Sequence, residues 1–178
     1  AALGLQRERR DQPEERQLRG LARLCLQRPD LVSDETALSL QEILPAGAWK
    51  SIILQILEAA DEGLLLTGKQ KGVDAFAIES RMDEEAQRRL REIAVDETPF
   101  DEEQSADQVF DDLVGWFERR RLDARQRELN RKMRDPNADQ DALLAEKQKQ
   151  LQERRARMGV GSATKDGPAP PTHKSGSA

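Results

Sequence analysis

Up to about residue 117, apolar residues recur at intervals of three and four, the period of an amphipathic helix. Leu18, Leu21, Leu24 and Cys25 form the first such face; Pro13 stands near a helix start, Glu14 and Glu15 occupy its first turn, and Pro29 should end it. A short helix is expected from about Ser33, carrying Ala37, Leu40, Ile43 and Leu44. "AWKSIILQILEAADEG" follows Pro45-Ala46-Gly47 and places Trp49, Ile52, Ile53, Ile56 and Leu57 on one face, the most hydrophobic in the chain. Gly63 stands where a helix C-terminal glycine belongs. Further helices are expected over about 73–80 and from Asp83 to about Val95, the latter burying Ala86, Leu90, Ile93 and Ala94, before Thr98-Pro99. From about Glu103 a wide face of Val109, Phe110, Leu113, Val114, Trp116 and Phe117 closes the run.

Beyond Glu118 the wide face narrows to a seam. Only Leu122, Leu129 and Met133 remain on the first arm, and Leu143, Leu144, Leu151 and Met158 on the second. Between the arms, Asp135-Pro136-Asn137 interrupts the helical pattern with turn-forming residues, and Asp139 is a good N-cap for the returning arm. From Gly159 the chain is Gly, Pro, Ser and Ala with little to bury, the composition of a disordered tail. The expected organisation is all-α: a charged linker over 1–12, a helical bundle over 13–117, a projecting helical hairpin over 118–158 and a disordered tail over 159–178.

Composition agrees with helix. Of 178 residues 37% are hydrophobic, 35% charged and 3% aromatic, with no Tyr, so strand-favouring residues are scarce and the core is lean. Net charge is −5, but residues 79–112 carry −9 and residues 118–158 carry +5, so opposite fields sit in neighbouring segments. One cysteine excludes an intrachain disulfide and fits a reducing compartment. No apolar run approaches the roughly 18 residues of a membrane span, and a soluble, cytoplasmic protein is expected. The first residue is not Met, which leads to the expectation of a fragment of a longer chain.

Catalytic chemistry is hard to assemble from this inventory. The single histidine, His173, lies in the tail, so neither a Cys/His metal cluster nor a Ser/His/Asp triad can form. The carboxylates from Asp96 to Asp112 lack the spacing and glycine of a calcium loop and read as a solvated face. "GLLLTGKQ" (63–70) matches the opening of a phosphate-binding loop but has Gln70 in place of the hydroxyl residue, and it follows a helix where that loop needs a strand. It reads as a helix end followed by a buried apolar turn. No cofactor, metal or catalytic residue is expected.

The succession "EERQLRGLARLCLQRPDL", "AWKSIILQILEAADEG", "EEAQRRLREIAVDE", "FDDLVGWFERRRLDARQRELNRKM" and "LLAEKQKQLQERR" resembles the C-terminal helicase-binding region of bacterial DnaG-type primases over about residues 14–158. That resemblance implies a non-catalytic fragment of a DNA primase. Its bundle-and-hairpin region docks on the N-terminal domains of the hexameric DnaB-type replicative helicase, coupling primer synthesis to unwinding. Apolar contacts would come from Leu122, Leu129, Met133, Leu143, Leu144 and Leu151, and charged contacts from Arg125, Lys147 and Arg154. The resemblance implies a second partner, the acidic tail of single-stranded-DNA-binding protein, held by Arg16, Arg19 and Arg23 at the first bundle helix; Glu14 and Glu15 would oppose it.

Two other readings stand beside this one. The basic hairpin could bind nucleic acid, although carboxylates alternate with its arginines and it offers no aromatic platform for bases, so sequence-specific contact is not expected. It could also be a generic, self-associating helical adaptor. No membrane partner is expected.

Overall fold

The computed structural model describes residues 2–68, 72–100 and 104–158. Among them are seven α-helices: α1 (Ala2–Gln27), α2 (Asp34–Ile43), α3 (Ala48–Asp61), α4 (Ala75–Glu79), α5 (Glu84–Ala94), α6 (Ala106–Met133) and α7 (Gln140–Met158). A single 3-10 turn, Pro29–Leu31, follows α1, and β pairing among the described residues is one antiparallel bridge between Leu65 and Val73. The chain is all-α, as its composition requires. No helix among the described residues is long and apolar enough to cross a membrane. The tail expected from Gly159 lies outside the described residues.

Two compact units divide the chain at Ala1–Arg121 and Leu122–Ala178. The boundary falls one turn beyond the expected Phe117, because Arg120 and Arg121 still pair with Glu14 and Glu42 of the first unit. Residues 2–12, expected as a linker, have helical backbone, and Pro13 lies inside α1 instead of opening it. Leu, Gln, Arg and Glu before the proline favour helix, so the missing N–H costs one ladder bond without ending it.

In the first unit, α1 packs on α3 and α5. Leu21, Leu24 and Cys25 of α1 share one apolar cluster with Ile52, Ile53 and Ile56 of α3, all fully buried. Leu90 and Ile93 of α5, and Phe110 and Phe117 of α6, complete it. Ala94, expected on the buried side of α5, is exposed, because Ile93 already marks the last inward position before the helix ends.

Local chemistry sets where these helices begin and end. Ser33 caps α2 by accepting from Thr36 N at 3.2 Å, and Asp83 caps α5 by accepting from Ala86 N at 2.8 Å. Ser105 and Gln108 cap the start of α6 reciprocally, each side chain accepting from the other's backbone N–H. At the other end of α3, Gly63 takes φ +75°, and Leu64 N donates to Ala59 O at 2.9 Å. That left-handed position is what glycine supplies at a helix end.

The turn after Gly63 corrects one expectation. Leu64 packs on the core, but Leu65 and Leu66 are exposed, because Leu64 and Val73 take the inward places at this turn. Lys69 and Gln70 of the near-match to a phosphate loop lie outside the described residues.

Cys25 is fully buried, and burial pushes its thiol pKa up to about 12, which keeps it a neutral, unreactive packing group. Ile56→Ala should therefore open a cavity in the same cluster, lowering the unfolding free energy by about 2–5 kcal/mol. Urea denaturation checks the magnitude, and Cys25 should react with a thiol reagent only as the first unit unfolds.

Candidate protein-docking site

The second unit is built from the end of α6, a turn and α7. Asp135 Oδ1 accepts from Asn137 N at 3.0 Å, an Asx turn that starts the reversal expected at Asp135-Pro136-Asn137. Asp139 then caps α7, its Oδ1 accepting from Asp141 N and Ala142 N, both at 3.2 Å. Gln140 ties the two ends together by donating to the carbonyls of Met133 and Asp135, both at 3.3 Å.

Ion pairs join the arms in antiparallel register. Arg154 reaches Asp123 at 3.1 Å, while Arg125 lies 3.4 Å from Glu146 and 3.9 Å from Glu153. Their side chains are two-fifths to one-half exposed, so they fix register more than they stabilise.

The apolar seam is thin. Leu129 is the one large apolar side chain among the described residues of this unit that is fully buried; Leu122, Met133 and Leu143 are half-buried. The same seam contains a polar group that the sequence expectations passed over: Gln150, 5% exposed, whose Nε2 and Oε1 have no hydrogen-bond partner. Gln150 follows Leu143 by seven residues, which places the two within about 20° of each other on a helix. The seam of α7 is thus the line of Leu143 and Gln150.

Leu144 and Leu151 form the adjacent line, turned by roughly 100°. They are 47% and 42% exposed, a pair of leucines on one flank of α7 that α6 does not cover. Lys147 is half-buried between the two lines and Arg154 is exposed in its pair with Asp123. The nine residues expected at a helicase contact therefore separate. Leu122, Leu129, Met133 and Leu143 hold the arms together, Arg125 and Arg154 bridge them, and Leu144 and Leu151 face outward. The sevenfold spacing from Leu143 could have revealed Gln150; the more conspicuous spacing of Leu144 and Leu151 concealed it.

The arginines expected to hold an acidic tail belong to the first unit and are largely occupied. Arg23 is buried; it pairs with Asp96 at 3.3 Å, donates to Thr98 O and lies 3.8 Å over the Phe100 ring. Arg19 stands 3.8 Å from both Glu92 and Asp96. Arg16 is exposed and has no ion pair among the described residues. Asp96 and Glu92 thus already supply the anion, and a foreign carboxylate would have to displace them. Among the described residues no group of His, Cys, Asp and Glu is arranged to hold a metal.

Two consequences can be measured. Gln150→Leu removes a buried amide left without partners and should stabilise the hairpin by about 1–2 kcal/mol, seen as slower amide hydrogen exchange across α7. Asp96 lies below its ordinary pKa of 3.8, first because the Thr98 side chain and backbone N–H bond its carboxylate and then because Arg23 and Arg19 face it. A depressed carboxylate contributes stability above its unfolded pKa and loses it as pH falls through the folded value. Asp96→Asn should accordingly lower the melting temperature near neutral pH, with the difference closing as pH drops below about 4.

Compared with known proteins, the chain matches no family model, no curated protein and no solved structure.

Proposed function

We propose that this chain is a non-catalytic docking region of a bacterial DnaG-type primase, and that its second unit binds the N-terminal domains of the hexameric DnaB-type helicase. In this reading it acts in the cytoplasm at the replication fork, tethering primer synthesis, which belongs to other parts of the primase, to unwinding. The observation that carries the docking role is the uncovered flank of α7, where Leu144 and Leu151 remain exposed beside a seam too thin to bury them. The helicase itself is suggested by the succession of segments in the sequence.

Leu144 and Leu151 are the apolar anchors in this scheme. Burying a leucine fully is worth about 1.5–3 kcal/mol, and a pair on one flank is the pattern by which a helix face enters a groove. Lys147, between them, would steer approach and fix register. Leu122, Leu129, Met133 and Leu143 act indirectly, by keeping the arms in the register that presents the flank. Arg125 and Arg154 do the same through their carboxylate partners, which argues against their serving as phosphate contacts.

A hairpin with one buried leucine and one unpartnered buried amide has little local stability of its own. Covering its flank with a partner supplies the apolar burial it lacks, so order and binding should be gained together. An acidic tail has no place in this scheme, because Arg19 and Arg23 already face Glu92 and Asp96.

The test is direct binding to the DnaB-type hexamer of the source bacterium by calorimetry. The full chain should bind, a chain truncated after Phe117 should not, and L144A/L151A should weaken binding at least tenfold, about 1.4 kcal/mol. Unchanged binding by the truncated chain would overturn the assignment. Binding of the full chain to single-stranded DNA, falling steeply with salt and without any need for the helicase, would favour a nucleic-acid module instead.

A further inference from the structure

Between α2 and α3 of the first unit lies a cleft of about 560 Å³, within the range of roughly 300–1,000 Å³ typical of binding clefts. Its apolar lining includes Val32, Ala37, Leu54, Leu57 and Leu65, all half-buried or exposed and so open to a visitor. Asp30, Asp34, Glu58 and Asp61 are its charged lining residues, and no Lys, Arg or His lines it among the described residues, although Asp30 is already paired with Arg28 at 2.8 Å.

Two of these carboxylates stand where the helix itself disfavours them. Glu58 and Asp61 occupy the last turn of α3, whose unpaired carbonyls already carry partial negative charge, and that turn holds no basic residue. The neighbouring Glu62 shows what relief looks like, since Arg81 grips it through two hydrogen bonds of 3.0 and 2.7 Å. Asp61 has no ion pair among the described residues; Glu58 has none either, though it feels the charge of Arg81 from a greater distance. Leu54, Leu57, Glu58 and Asp61 follow one another by three, one and three along α3, so apolar and acidic groups lie on one face.

We propose that this cleft is a docking site for a basic amphipathic peptide segment of a partner protein. The apolar side chains of the segment would cover Leu54, Leu57 and Val32, and its lysines or arginines would meet Glu58, Asp61 and Asp34. A cation there neutralises both the carboxylates and the C-terminal dipole of α3, which is why the occupant must be positively charged. An apolar face is needed as well, because charge alone would leave the leucines in water. The proposal uses no residue of the hairpin, so it stands or falls independently of helicase docking.

The full chain would be titrated into a fluorescein-labelled nine-residue peptide of alternating Lys and Leu, followed by anisotropy. Peptides of Lys/Ser and Glu/Leu are the comparisons. Lys/Leu should bind saturably and weaken as salt rises, with the other two at least tenfold weaker. E58Q/D61N should weaken binding at least fivefold without lowering the melting temperature, whereas D111N/D112N, the same charge change on α6, should alter it less than twofold. E58K/D61K should invert the preference toward Glu/Leu. Equal losses from the two neutralised variants, or equal binding of Lys/Ser and Lys/Leu, would overturn the proposal, as would no saturable binding.

Discussion

A helix that is apolar around much of its circumference has to be surrounded, and α3 imposes that demand on the whole first unit. Ile52, Ile53 and Ile56 are fully buried, and Trp49 nearly so. No single neighbour could cover them, so α1 lies along one side and α5 and α2 take others. Once α3 is enclosed, the remaining choices narrow. Gly63 ends the helix in a left-handed turn, and Arg23 is drawn under the segment after α5, where Asp96, Thr98 and Phe100 receive its charge, its N–H and its planar face.

The second unit lives under the opposite condition. It has too little apolar surface to demand any one arrangement, so its register is held by polar devices: the Asx turn at Asp135, the cap at Asp139, and the Arg125 and Arg154 pairs. Weak apolar demand also explains how an amide can occupy the seam. Leu129 is the only fully buried large apolar side chain among its described residues, so the seam tolerates Gln150 at a cost of about 1–2 kcal/mol instead of excluding it.

Both proposed sites grow from the same physical situation, a helix face with one side satisfied. On α7 the seam line is filled and the adjacent line of Leu144 and Leu151 is not. On α3 the inward isoleucines are filled, while Leu54, Leu57, Glu58 and Asp61 form a face that α2 only partly covers. The two differ in charge, and so in the partner each could accept: the α7 flank is mixed, whereas the charged side chains lining the α3 cleft are all acidic.

The sequence by itself determined the helices. Three- and four-residue spacing, the caps Ser33, Asp83 and Asp139, Gly63 and the break at Pro136 are local signals, and local backbone energetics obey them. Its failures were also local in kind: Pro13 was read as a start although good helix formers precede it, and Leu65 and Leu66 were read as buried because they are leucines. Only the tertiary structure decided which of two parallel lines on α7 faces inward, since Leu143 with Gln150 and Leu144 with Leu151 satisfy the same spacing. It also decided that Arg23 is buried and not a surface cation, because its partners lie more than seventy residues away in the chain. Periodicity identifies the faces of a helix, but what lies opposite each face depends on contacts between distant segments, and no local spacing contains that information.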